Sequence, residues 1–422
     1  MTASSRHFVL AAGGTGGHLT PAFALAHELE RRGHHVALVT DQRGAAIPGK
    51  PDFLTAHVLP AGRFGKNPLR WLGGLLSVLK GRSMAKRLYE TFQPSAVVGF
   101  GGYPAMPALL GARSLGIPTV IHEQNAVLGR VNRFFSGRVD AIATAYPQVD
   151  RLNRKHGGKV HLVGNPVRPG VLALRDEPFP AFTEDGLFRV LVTGGSQGAR
   201  VLSAVVPDAL SMLPTALRSR LQVTQQCRAE DIEAVRKRYA DHDIPADLAT
   251  YFEDMAATLA DAHLFIGRAG ASTIAELTAV GRPAILMPLP IATDDHQSAN
   301  VREMVEAGGA RSIRQPMSSV ADLDHAGFSD RANADRKRQS DVLQKLTKDI
   351  SRQIQAMAQR PETLANAAHA AWNCGRPKAA SDLADLVESF GGADVQDVIR
   401  VGEREKSASA TAKATATPGM GR

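Results

Sequence analysis

Short apolar runs alternate along most of the chain with longer stretches in which apolar residues recur every three or four positions. Residues 8–12 form such a run, closed by glycines. Phe23, Leu25, Ala26 and Leu29 then recur at helical spacing, with Pro21 suited to the first turn and Gly33 to the stop. The run ending at Thr40 reads as the next strand. Further strands are expected at 96–100, 119–122 and 141–145, with helices over 105–115 and 127–135. The pattern restarts at "FRVLVTGGSQGAR", again strand, glycine loop and helix, and "LQVTQQC", "HLFIG" and "PAILMPL" supply more strands. This alternation predicts an α/β protein of two Rossmann-like, doubly wound domains facing a cleft.

Breaks in the pattern set the boundaries. "HLVGNPVRP", near 161–169, reads as an inter-domain linker, which divides the chain into domains 1–165 and 166–395. A polar, charged stretch at about 318–341 reads as an exposed insertion. Residues 362–390 are alanine-rich and helical in pattern, and the low-complexity tail 396–422 is expected to be disordered.

Composition narrows the partners. The chain is 422 residues long with 44% hydrophobic and 22% charged residues, enough for large cores. A net charge of +9 and a pI near 9.7 favour anionic partners: nucleic acid, anionic lipid or phosphorylated substrates. Charge alone does not choose among them. Cys227 and Cys374 lie outside any CxxC pattern, which argues against disulfides or zinc and for a reducing compartment. The N-terminus does not read as a signal peptide, and no apolar run reaches the roughly 18 residues of a spanning helix.

Chemistry concentrates in the loops. "GGTGGH" (13–18) lets backbone amides approach a phosphate or sugar, with a helix start behind them. It misses the third glycine of the dinucleotide fingerprint, although Asp41 stands where a ribose acid would. His18 can take a proton from an attacking hydroxyl or simply hydrogen-bond a neighbour. The sequence "GGSQG" around Ser196 fits either a nucleophile elbow, with Asp261/His263 or Asp294/His296 as partners, or a phosphate loop. "GRAGASTIAEL" (267–277) is another anion cradle, with Arg268 for phosphate and Glu276 for ribose hydroxyls, and "DDHQSAN" (294–300) can close over a sugar. "HEQN" is not HExxH, and the DxD tripeptides at 241 and 322 follow no apolar strand, so no metal is expected. Over 63–88, Trp71, Leu72, Leu75, Leu76 and Leu79 lie among lysines and arginines. They form either a membrane-interface helix or a core stripe with a basic outer face.

Taken in order, "GGTGGH", "GFGGYPA", "HEQNAVLGRVNR", "GNPVR", "GGSQGAR", "RAGASTIAEL" and "DDHQSAN" resemble the peptidoglycan N-acetylglucosaminyltransferase family that acts on undecaprenyl-diphospho-muramoyl pentapeptide. The resemblance covers about 8–313 and 361–390; the polar segment and the tail depart from it. It implies a GT-B fold and inverting, metal-independent transfer from UDP-N-acetylglucosamine to the C4 hydroxyl of the lipid-linked acceptor, giving lipid II, with no cofactor and no nucleic acid. It further implies a peripheral location on the anionic cytoplasmic face of the inner membrane. Thr15, Gly16, Gly17 and Asn125 would approach the donor from the first domain, and Arg168 and Ser196 from the linker and second glycine loop. Phe252 would contact uracil, Arg268 the phosphates, Ala271, Ser272, Thr273, Ile274 and Ala275 the diphosphate side, Glu276 the ribose and Gln297 the N-acetylglucosamine. Tyr103 and Glu123 would line the acceptor side, with His18 the base and Glu123 the second candidate.

Overall fold

The computed structural model describes residues 5–60, 68–195, 198–317 and 333–390, with the side chains of two helices described from Gly73 and Ser340 onward. Ser196, the side chains of Trp71 and Leu72, residues 318–332 of the polar segment and the tail 396–422 lie outside the described residues.

The first sheet is parallel and seven-stranded, in the order β3-β2-β1-β4-β5-β6-β7. Its strands are β1 His7–Ala12, β2 His35–Thr40, β3 Thr55–Val58, β4 Ala96–Gly101, β5 Thr119–Glu123, β6 Ala141–Thr144 and β7 Val160–Leu162. Phe8 and Leu10 enter one core cluster and Val9 and Ala11 another, so β1 is covered on both faces and reads as an unbroken apolar run. The helices around it are α1 Gly16–Arg31, α2 Pro68–Phe92, α3 Ala105–Ser114 and α4 Arg130–Phe135. From α1, Leu19, Phe23, Leu25 and Leu29 are buried, each contributing roughly 1.5–3 kcal/mol. The second sheet is also parallel, ordered β10-β9-β8-β11-β12-β13, from β8 Phe188–Thr193, β9 Leu221–Gln226, β10 Ala246–Ala249, β11 Leu264–Gly267, β12 Ala284–Leu286 and β13 Ala310–Ser312. Its helices include α5 Arg200–Ser211, α6 Ala271–Ala279 and α7 His296–Asn300, and the chain closes with α8 Asn333–Ala358, α9 Pro361–Asn373 and α10 Ala379–Ser389.

Several expectations shift. The first helix begins at Gly16, inside the glycine loop, so Pro21 lies within it rather than in its first turn. The helix expected from Val127 begins only at Arg130, because a buried carboxylate holds the preceding loop open. β7 claims Val160–Leu162 for the first sheet, which leaves 163–168 as the crossing segment. The polar segment is helical from Asn333, and Leu346, Ile350, Ile354 and Met357 of α8 enter the second domain's core. Residues 362–390, helical in pattern, form two helices, broken where a Cβ on Gly375 would lie 2.5 Å from the Thr278 carbonyl.

The end of the chain does not stay with the second sheet. The closing helix α10 returns to the first sheet, where Leu383, Ala384 and Val387 pack with Phe8, Leu10, Leu25 and Leu29. Arg32 anchors it by donating to Asp385 (2.6 Å), Glu388 (2.8 Å) and Ser381. The chain therefore crosses between domains twice. The crossings touch at Gly164, whose φ of +92 and missing Cβ admit Arg376, where a Cβ would sit 2.7 Å away.

In such sheets ligands bind beyond the carboxyl ends of the strands, where the strand order reverses. The reversals fall between β1 and β4 and between β8 and β11. Glycine-containing segments follow those four strands, 13–15 after β1, 102–104 after β4, 194–195 after β8 and 268–270 after β11.

Candidate active site

The two loops of the first domain touch. Gly13 donates to the Gly101 carbonyl at 3.0 Å, and a Cβ on Gly13 would lie 2.8 Å from the Gly102 Cα. Gly101 and Gly102 are left-handed, at φ 96 and 75. A side chain on Gly101 would stand 3.2 Å from His18 Nε2, so glycine leaves space beside that nitrogen. His18 Nδ1 is 2.9 Å from Thr15 Oγ1. If Nδ1 carries the proton and donates to Thr15, Nε2 is left as the free base. Burial, and then the positive charge His296 would bring, lower the His18 pKa to about 4. His18 is thus neutral at pH 7. His296 stands at the start of α7. Thr15 is the N-cap of α1 and makes no side-chain cap bond, and the first-turn amides of Gly16 and Gly17 have no acceptor within the helix. Tyr103 stands 37% exposed between β4 and α3.

β5 ends on Glu123, 2% exposed, whose carboxylate accepts four hydrogen bonds: Asn125 N (3.1 Å), Asn125 Nδ2 (3.2 Å), Gly129 N (2.8 Å) and Asn132 Nδ2 (2.9 Å). Burial pushes its pKa up and these donors pull it back. With its lone pairs taken, Glu123 acts as the scaffold of the 124–132 loop. Its neighbour His122 is buried, bonded to the Gly164 carbonyl (2.8 Å) and Gln124 (3.0 Å), and lowered by burial to about 4.

In the second domain, α6 starts at Ala271, capped by the backbone of Gly270 alone, and presents Ser272 and Thr273 in its first turn. The Ser272 hydroxyl is buried without a partner. Ala271 and Ile274 are buried on its core side, with Ala275 partly covered. Unliganded amides and a helix dipole here favour an anion. Glu276, one turn on, pairs with Arg168 of the linker at 2.8 Å. Burial raises its pKa against that pairing. Arg268 donates to the Met287 and Pro288 carbonyls at 3.2 and 3.4 Å. Phe252 is half-buried after β10, and Gln297 on α7 accepts from Leu289 N at 2.9 Å.

The two halves meet through side chains brought together from distant segments. Asn300, fully buried, accepts from Ala126 N (2.8 Å) and donates to Asn125 Oδ1 (3.1 Å) and the Ala269 carbonyl (3.3 Å). Asp294 pairs with Arg151 at 2.7 Å, and Arg302 with Asp150. Asn132 and Asn300 stood inside quoted motifs; nothing in the sequence marked Arg151.

The competing chemistries lose their partners. Asp41 caps the turn at 42–45 through Gly44 N (2.9 Å) and lies 3.5 Å from Arg43, a structural task. His263 precedes β11, at the opposite end of the strand from the glycine loops, bonded to Arg189 N and the Ala181 carbonyl. His296 Nδ1 is bonded to the Thr293 carbonyl. Asp241 pairs with Lys237 at 2.8 Å, and among the described residues no group of three or more His, Cys, Asp or Glu is arranged to hold a metal.

Comparison with known proteins bears on this site. Residues 8–144 match the glycosyltransferase family 28 N-terminal domain and residues 189–354 the glycosyltransferase family 28 C-terminal domain. A protein of Erythrobacter litoralis named UDP-N-acetylglucosamine–N-acetylmuramyl-(pentapeptide) pyrophosphoryl-undecaprenol N-acetylglucosamine transferase is 72% identical over 403 residues, covering 95% of this chain and 94% of the relative. A relative of the same name from Novosphingobium aromaticivorans is 69% identical over 409 residues, covering 97% and 98%. The crystal structure of Acinetobacter baumannii MurG aligns with a TM-score of 0.68 at 27% identity, over 91% of this chain and 99% of that one.

Proposed function

The chain belongs to glycosyltransferase family 28, and we infer that it transfers N-acetylglucosamine from UDP-N-acetylglucosamine to the undecaprenyl-diphospho-N-acetylmuramoyl pentapeptide, as its relatives are named for doing. One observation carries the site assignment. A histidine held neutral by burial stands at the switch point of the first sheet, on a helix that packs against the helix of the anion cradle beside the switch point of the second.

The donor lies on the second domain. Its diphosphate meets the amides of Ser272 and Thr273 at the start of α6, its ribose Glu276, its uracil Phe252 and its sugar Gln297. Arg168 exchanges Glu276 for phosphate when the ribose arrives, and Arg268 adds positive charge. The acceptor enters past Tyr103, with Thr15, Gly16 and Gly17 near the reacting centre. The muramoyl C4 hydroxyl attacks the anomeric carbon in line with the departing UDP, which inverts that centre. His18 Nε2 takes the hydroxyl proton while Thr15 holds Nδ1. The helix end and Arg268 stabilise the charge growing on UDP.

The test is transfer of labelled N-acetylglucosamine to a lipid-linked muramoyl pentapeptide. For His18→Ala, kcat should fall about 100-fold or more with donor KM within about twofold, the scale of a lost general base. Unchanged turnover would remove His18 from the chemistry.

The same reading puts the first domain against a membrane. On α2, Leu75, Leu76 and Leu79 are 50%, 59% and 48% exposed, while Val78, Ala85 and Tyr89 face the core. Those leucines are not a core stripe. Lys80, Lys86 and Arg87 flank them, the composition of a helix lying in an anionic interface. No helix among the described residues is long and apolar enough to cross a membrane. Leu75→Glu with Leu79→Glu should release the protein from anionic vesicles in flotation without lowering its thermal midpoint. Retained binding would sink the membrane assignment.

A further inference from the structure

The loop between β12 and α7 is strained and held from the other domain. Asp294 and Asp295 are both left-handed, at φ 58 and 55, a region that side-chain-bearing residues avoid unless their surroundings impose it. For Asp294 the restraint comes across the cleft. Its Oδ1 lies 2.7 Å from Arg151 Nη1 and its Oδ2 3.9 Å from Arg133 Nη2. Arg133 is on α4 and Arg151 follows Asp150, which is itself paired with Arg302. Arg151 is left-handed too, at φ 66. The Asp294 side chain is 18% exposed, so this charge is largely withdrawn from water and depends on its partners. Three residues on stands Gln297, the residue assigned to the donor sugar, and the far end of α7 is pinned to the first domain by Asn300. The donor-contacting segment thus has a strained start and a buried end, both fastened to the acceptor domain.

Resting on the glycosyl-transfer reading above, we propose that Asp294 is a positioning residue whose ion pairs with Arg151 and Arg133 clamp the Gln297 loop to the first domain, so that the donor-sugar pocket is complete only when the two domains are docked. Asp294 touches no reacting atom. It acts through the loop, and its loss weakens donor binding more than the chemical step.

Asp294→Asn removes the charge while keeping the side-chain shape and a residue that tolerates the left-handed region. In the full-length enzyme at low salt, donor KM should rise about tenfold with kcat within about twofold, the scale of a lost charge-assisted contact. Arg151→Ala should do the same, and the double variant should be no worse than either single. Arg151→Lys, which keeps the charge, should recover most of the wild-type KM. Added salt should raise the wild-type donor KM more steeply than that of Asp294→Asn, which lacks the ion pair, so that the two values converge. Additive single effects, or an unchanged donor KM with a lowered thermal midpoint, would reduce the pair to a structural salt bridge and overturn the proposal. An active wild type with unaffected variants overturns the clamp alone; a wild type inactive on this donor overturns the functional reading and the clamp with it.

Discussion

Two glutamates largely withdrawn from water stand near the ends of the two sheets, Glu123 closing β5 and Glu276 on the helix after β11, and burial drives both pKa values upward. Their surroundings differ. Glu123 is ringed by four donors from residues two to nine positions further along the same loop. Among the described residues Glu276 pairs with the Arg168 guanidinium alone, whose side chain is 46% exposed and comes from the linker. A carboxylate saturated by its own loop is part of the frame. One held by a single, exchangeable, half-exposed cation is free to trade that partner for ligand hydroxyls. The same perturbed titration thus marks a scaffold in one domain and a binding group in the other, and hydrogen-bond accounting tells them apart.

The same isosteric substitution at both positions puts this difference under its heaviest strain. Glu123→Gln replaces one acceptor oxygen with a donor and leaves two of the four donors opposite an amide. The protein should lose about 3 kcal/mol of stability, the cost of unsatisfied buried donors, read from its denaturation midpoint. Glu276→Gln should change stability by less than about 1 kcal/mol, because its partner is half-exposed. Its effect should appear instead as a donor KM raised about tenfold, equivalent to about 1.4 kcal/mol. If Glu123→Gln unfolds no more readily than Glu276→Gln, Glu123 is not a scaffold, and its candidacy as a base returns.

The contrast also shows where the sequence is legible. β1, β4, β8 and β11 are buried on both faces and stand out as apolar runs, and the glycine loops that follow them could be read directly. The edge strands β3, β10 and β13 are half-exposed and carry polar residues, so they lack that signature. β7 was hidden in what reads as a linker. Within the site, side chains that act through nearby backbone, such as Thr15 with His18, are recoverable from a motif. Pairings made by the meeting of distant segments are not. Nothing within "RAGASTIAEL" predicts that Glu276 will hold Arg168, and nothing near "YPQVDR" predicts that Arg151 will hold Asp294. The family resemblance offers Glu123 as a second candidate base. Its saturation depends on how the loop closes around it.

The smallest expected effect is the pH dependence that separates Glu276 from His18. The folded pKa of Glu276 is raised, so the folded state holds its proton more tightly than the unfolded chain does. The stability this contributes is complete below the unfolded value near 4.5 and is lost as pH rises through the folded value. Binding runs the other way, because only the ionised carboxylate accepts from both ribose hydroxyls. Donor KM should therefore climb as pH falls from neutrality through the raised pKa, while kcat at saturating donor stays level, since His18 does not protonate until about pH 4. In Glu276→Gln the donor KM should be higher at neutral pH and flat across the same window, with kcat unchanged in shape. A Glu276→Gln profile that still climbs on acidification would assign the titration to another group and leave Glu276 as structural as Glu123.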